Sequence, residues 1–179
     1  MKIYFQKIHL FILFLVIFES FIITKSSKAF FPRINEPNKY ELESTSIQIG
    51  KTAIQLIQFG QYNEAIKLLN LAVKLNPKEK DLWANLAEAQ IRANKHYEAL
   101  VSLNKAIKLM PRDENLFFTK ASIYIFLDNP KKAKSSIKKG LSINKNSERG
   151  YFQLGNTEIM LNKYKSALIA FQKSSRINS

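Results

Sequence analysis

Cysteine is absent from all 179 residues. That excludes disulfides, thiol nucleophiles and cysteine-bound metals. Histidine occurs only at His9 and His96. A lone histidine without cysteine or a second histidine nearby does not build a metal site. No P-loop, G-x-G-x-x-G, H-E-x-x-H or G-x-S-x-G stretch occurs, so the phosphate-cradling and hydrolytic motifs are missing. Carboxylates such as Glu88 and Glu158 stand singly and offer no acid–base pair. The chain therefore reads as non-catalytic, with no cofactor and no metal. Acidic residues are also scarce, 14 against 28 Lys and Arg, for a net charge of +14.

What is present begins with an apolar N-terminus. Lys2 and Lys7 precede a nearly unbroken apolar run from Ile8 to Phe18, and Ser27-Lys28-Ala29 supplies small residues before Phe30. This is the grammar of a secretory signal peptide. An uncleaved anchor is the rival reading, although the run is shorter than the roughly 20 residues that span a bilayer and Glu19 interrupts it. Residues 1–29 are accordingly assigned as a signal or anchor segment, and residues 30–45 as an extended linker holding Pro32 and Pro37. Phe30, Phe31, Ile34 and Tyr40 of that linker are expected to fold back on the following domain as a cap.

From Ser46 the chain repeats itself every 34 residues. Ala65, Ala99, Ala133 and Ala167 occupy one position, and Leu69, Leu103, Ile137 and Phe171 another. Upstream, Ile49, Trp83, Phe117 and Tyr151 form a bulky series, and Ala53, Ala87, Ala121 and Gly155 a small one. A period in this range marks a stacked repeat protein. Large and small residues four apart share a helix face. The spacing predicts helices over 45–59, 62–75, 80–93, 96–109, 114–127, 130–143, 148–161 and 164–177. Gly60, Asn94, Asp128 and Asn162 fall at the turns between paired helices, where these residue types accept the left-handed backbone. Asp113, Ser147 and Pro130 stand at helix starts.

Trp83-Ala84-Asn85-Leu86-Ala87, then Ala99 to Leu103, then Pro111, resembles the tetratricopeptide repeat (TPR) signature W-x2-L-G-x2-Y…A-x3-F…P. Ala87, Gln90 and Leu103 depart from it. The resemblance implies an all-α helix-turn-helix solenoid of four repeats, 46–79, 80–113, 114–147 and 148–179, with a groove lined by the first helix of each repeat. Carried over by position, the candidate partner-binding set is Glu88, Arg92, Asn115, Phe118, Ser122, Phe126, Arg149, Phe152 and Asn156. Phe118, Phe126 and Phe152 stand where many members carry polar residues, and each reads either as groove surface or as core. Carboxylate-clamp co-chaperones are set aside, because Gly50, Ile54, Asn115 and Thr119 replace the cations and amides that such a clamp uses.

The membrane-directed start, the Glu36-Pro37-Asn38 linker and the lysine-rich repeats together resemble exported TPR proteins of cyanobacteria, and more loosely TPR proteins of plastids and cyanobacteria tied to photosystem I assembly. That resemblance implies an interaction scaffold for a protein or peptide partner during assembly of a membrane or envelope complex. It further implies a chain exported to the periplasm or thylakoid lumen, or anchored in the membrane.

The alternative function is nucleic-acid binding by a basic helical repeat. Lys131, Lys132, Lys134, Lys138 and Lys139 crowd one helix, but no aromatic–basic interleaving runs along a single face, and the export segment argues against it. The bland reading of the lysines is a solvated surface. Tyr164, Leu168 and Phe171 in the final helix are expected to be partly exposed, which would allow self-association.

Overall fold

A computed structural model describes residues 38–177, and all its regular elements are helices. They are α1 (Lys39–Gln58), α2 (Tyr62–Leu75), α3 (Lys80–Arg92), α4 (His96–Leu109), α5 (Glu114–Phe126), α6 (Pro130–Ile143), α7 (Glu148–Met160) and α8 (Tyr164–Ile177). The four second helices, α2, α4, α6 and α8, have the predicted bounds. The first helices α3, α5 and α7 end one residue early, because Ala93, Leu127 and Leu161 are C-caps. The signal or anchor assignment and the aromatics Phe30 and Phe31 lie outside the described residues.

Each first helix ends in the same way. Gly60, Asn94, Asp128 and Asn162 have φ of 75°, 59°, 49° and 58°. The next residue donates its N–H back five residues, as in Gln61 to Leu56 (2.9 Å), Lys95 to Gln90 (2.8 Å), Asn129 to Tyr124 (2.8 Å) and Lys163 to Glu158 (2.8 Å). This is the Schellman closure, which satisfies carbonyls the helix would leave bare. The left-handed residue it requires recurs with the 34-residue period. Starts follow local chemistry too: Asp113 accepts from the Asn115 N–H, Asn129 from Lys132 ahead of Pro130, and Ser147 from Gly150.

One boundary differs from expectation. α1 begins at Lys39, so Lys39–Ser44 is helix where an extended linker was read. The cause is a capping box: Oδ1 of Asn38 accepts from the Glu41 N–H at 3.0 Å, and the Glu41 carboxylate accepts from the Asn38 N–H at 3.0 Å. Two otherwise orphaned donors are satisfied reciprocally. Tyr40, expected to cover the first repeat, is 81% exposed.

Packing follows the repeat. Ala65, Ala99 and Ala133 are wholly buried and Ala167 nearly so, as are Ala53, Ala87 and Ala121. With no bulk beyond Cβ at these points, neighbouring helices approach closely. Leu69, Leu103 and Ile137 fill the space between them. Trp83 is half-buried, and its indole N–H donates to the Pro77 carbonyl at 2.9 Å, fixing the passage between the first two repeats. Gln90, where the signature has Tyr, is buried and accepts from the Ser102 hydroxyl at 2.7 Å, so the polar replacement brings its own partner.

Candidate functional site

Successive helices pack on one another along the stack. First helices also meet directly, α1 on α3 and α5 on α7, but α3 and α5 do not close on each other in this way. A cleft of ≈ 550 Å³ opens there. α3 supplies Glu88, Ile91 and Arg92, α4 supplies His96, α5 supplies Thr119, Ser122, Ile123 and Phe126, and α7 supplies Arg149.

The wall from α3 is charged. Nε of Arg92 donates to Oε1 of Glu88 at 2.9 Å across one helical turn. That hydrogen bond raises the guanidinium pKa above its ordinary value. Both side chains are exposed, so the pair orients two charges at the rim more than it stabilises the fold. Arg149 is exposed and has no ion pair among the described residues. The opposite wall is aromatic. Phe126 is 68% exposed, and its ring lies 4.1 Å from that of His96. Beneath it both imidazole nitrogens are shielded from solvent and make no hydrogen bond. The floor is fixed by a network: the Ser122 hydroxyl donates to the Phe118 carbonyl at 3.2 Å and accepts from Nε2 of Gln153 at 2.7 Å, tying α5 to α7.

Five of the nine residues chosen from sequence therefore line one cleft: Glu88, Arg92, Ser122, Phe126 and Arg149. Asn115, Phe152 and Asn156 lie outside its lining. Phe152 is half-exposed and stacks on Phe171, 5.8 Å between centroids. Phe118 must be withdrawn from the groove. It is 1% exposed, and its ring occupies the space left by the missing side chains of Gly140 and Gly150. Sequence reasoning omitted His96, Ile91, Thr119 and Ile123. His96 carried a signal, being a histidine at a turn whose counterparts in the other repeats are Tyr62, Pro130 and Tyr164.

The family comparison agrees with the repeat register. Two tetratricopeptide-repeat models match the chain, one over residues 56–117 and the other over 115–147. The chain belongs to the tetratricopeptide repeat family. As a TPR protein it is by class a protein-interaction scaffold, a fold typically without catalysis. No curated protein matches the sequence. Among solved structures, a crystal structure of MamA aligns with a TM-score of 0.72 and 18% identity, covering 78% of this chain and 86% of that one. The MamA chain from residue 41 onward of Desulfovibrio magneticus RS-1 aligns with a TM-score of 0.67 and 16% identity, covering 82% and 78%. At these identities the likeness establishes the fold.

Among the described residues no helix is long and apolar enough to cross a membrane, and no cluster of His, Asp and Glu could hold a metal ion.

Proposed function

We propose that this TPR protein is a non-catalytic scaffold that holds a segment of a protein partner in the α3–α5–α7 cleft while a membrane or envelope complex is assembled. The observation that carries the reading is the exposed Phe126 at a cleft that also presents Arg149, which has no ion pair among the described residues. Aromatic and arginine side chains carry most binding energy once desolvated. A segment presenting an apolar side chain to Phe126 and a carboxylate to Arg149 fits both walls. A photo-crosslinking residue at position 126 should capture a partner in native membranes, whereas one at the equally exposed Phe59 should not. Phe126→Ala with Arg149→Glu, assayed by affinity co-purification from solubilised membranes, should reduce recovery of that partner by about tenfold, in line with the loss of about 1.4 kcal/mol that such a factor represents, with the helical circular-dichroism spectrum unchanged. Equal capture at positions 126 and 59 would count against the cleft.

We infer the cellular setting from the N-terminal segment. The run from Ile8 to Phe18 supports delivery to a membrane, with the domain in the periplasm or thylakoid lumen or tethered at the bilayer. Assembly of a photosystem-related complex fits that setting. Fractionation with N-terminal sequencing is expected to find either a mature chain starting near Phe30 or a membrane-bound chain retaining Met1. A soluble cytosolic product that still begins at Met1 would refute both forms.

A further inference from the structure

α5 has a second working face. Thr119, Ser122, Ile123 and Phe126 look into the cleft described above. At 100° per residue, Phe117, Lys120 and Tyr124 fall on the opposite side of the helix. There they join α4 and α6 around a separate cavity of ≈ 540 Å³. Four lysines line it: Lys108 from α4, Lys120 from α5, and Lys132 and Lys139 from α6. No carboxylate does. None of the four takes part in an ion pair among the described residues.

Two of the four cations have positioning contacts. The Lys120 ammonium donates to Oδ1 of Asn104 on α4 at 2.6 Å, a neutral acceptor that fixes its position and leaves its charge unbalanced. Lys132 lies over the Tyr124 ring, 5.7 Å from its centroid. Burial, and then the positive charge of Lys139, lower the pKa of Lys120. Lys120 is half-buried and the other three are exposed; like charges gathered around a concavity repel one another, and the field there attracts an anion.

We propose that this cavity binds a compact phosphoryl-bearing anion with two or more negative charges, such as a pyrophosphate group. Three observations favour a small anion over a nucleic acid. The four lysines converge on one cavity from three helices, α4, α5 and α6. Of the two aromatic rings at the cavity, Tyr124 already has Lys132 over one face. The volume suits a few phosphoryl groups and not a polymer. The site is formed by residues separate from those of the protein-binding cleft, so the two stand or fall independently.

The test is calorimetric titration of the full chain, in non-ionic detergent, with inorganic pyrophosphate. Lys120→Gln with Lys139→Gln removes two cavity charges, and Lys67→Gln with Lys74→Gln removes two exposed charges on α2. The expected result is binding by the wild type and the α2 variant alike, weakened about tenfold or more in the cavity variant, since each charged hydrogen bond lost is substantial. Circular dichroism checks that both variants stay helical. If the cavity variant loses helix, protection of Lys120 and Lys139 from amine acylation by pyrophosphate in the wild type replaces it as the readout. Doping the micelles with phosphatidic acid separates two sources of the same chemistry. Displacement of pyrophosphate by the lipid assigns the site to a headgroup, and no displacement assigns it to a soluble anion. Equal weakening in both variants, no binding at all, or tight binding of an RNA oligonucleotide that pyrophosphate cannot displace would each overturn the proposal.

Discussion

Phe118→Ala is expected to lower the unfolding free energy by about 3–5 kcal/mol, the range for truncating a fully buried phenylalanine. The ring is 1% exposed, and the backbone has been cleared to receive it. A Cβ placed on Gly140 would meet Cε1 of Phe118 at 2.5 Å, and one on Gly150 would meet Cζ at 2.8 Å. Glycines on α6 and α7 therefore form the walls of a slot for a ring on α5. Alanine at position 118 leaves that slot empty, and two helices that already pack against other neighbours can collapse into it only partly. Phe152→Ala is the comparison. Its ring is half-exposed and rests on Phe171, so its loss should cost about 1–2.5 kcal/mol, the aromatic pair together with the half of the ring that is buried. Gly140→Ala tests the slot from the other side. A methyl group there gains about 1 kcal/mol of helix propensity but overpacks against the ring by about 1–3 kcal/mol, a conflict that Phe118→Leu should relieve. Denaturant titrations of the four variants decide the matter. Equal losses for Phe118→Ala and Phe152→Ala would mean that the slot is not the structural centre of the third and fourth repeats.

What the sequence made legible was whatever repeats. Gly60, Asn94, Asp128 and Asn162 were found because each closes a helix by the same left-handed turn, and the alanine series because each allows the same close approach. Phe118 was misplaced for the complementary reason. Its position in the repeat belongs to the groove in the family at large, and its burial depends on two departures from the pattern, Gly140 where the earlier repeats have Ala72 and Ala106, and Gly150 in the following block. The capping box at Asn38 and Glu41 is equally a sequence pattern, but it directly follows Pro37, a residue type that favours extended backbone before it. The cleft itself was half legible. Position picks out Glu88, Arg92, Ser122, Phe126 and Arg149, whereas His96 belongs to a second helix and reaches the cleft only because Phe126, 30 residues on, packs over it. Charge patterning within a block likewise misses any partner supplied by the next.

Lys134→Met is expected to destabilise the fold by about 3 kcal/mol, although it removes one lysine from a helix that reads as solvated. Lys134 and Glu158 form an ion pair between α6 and α7. The Glu158 side chain is almost fully buried, and its Oε2 atom has no hydrogen-bond partner. The carboxylate thus depends on a single ammonium group for compensation. Removing one partner of a buried pair leaves an uncompensated charge and costs about 3–5 kcal/mol, whereas replacing both with apolar groups is often neutral or stabilising. The lower end applies here because the Lys134 side chain retains 24% exposure. Lys134→Met with Glu158→Leu should therefore recover most of the loss. Lys138→Met, at an exposed position of the same helix, should stay within about 0.5 kcal/mol of wild type. Chemical denaturation of Lys134→Met, Glu158→Leu and the double variant, at neutral pH and moderate salt, yields the coupling directly. Strictly additive losses would show that Lys134 and Glu158 act independently and that the buried carboxylate does not depend on this ammonium group.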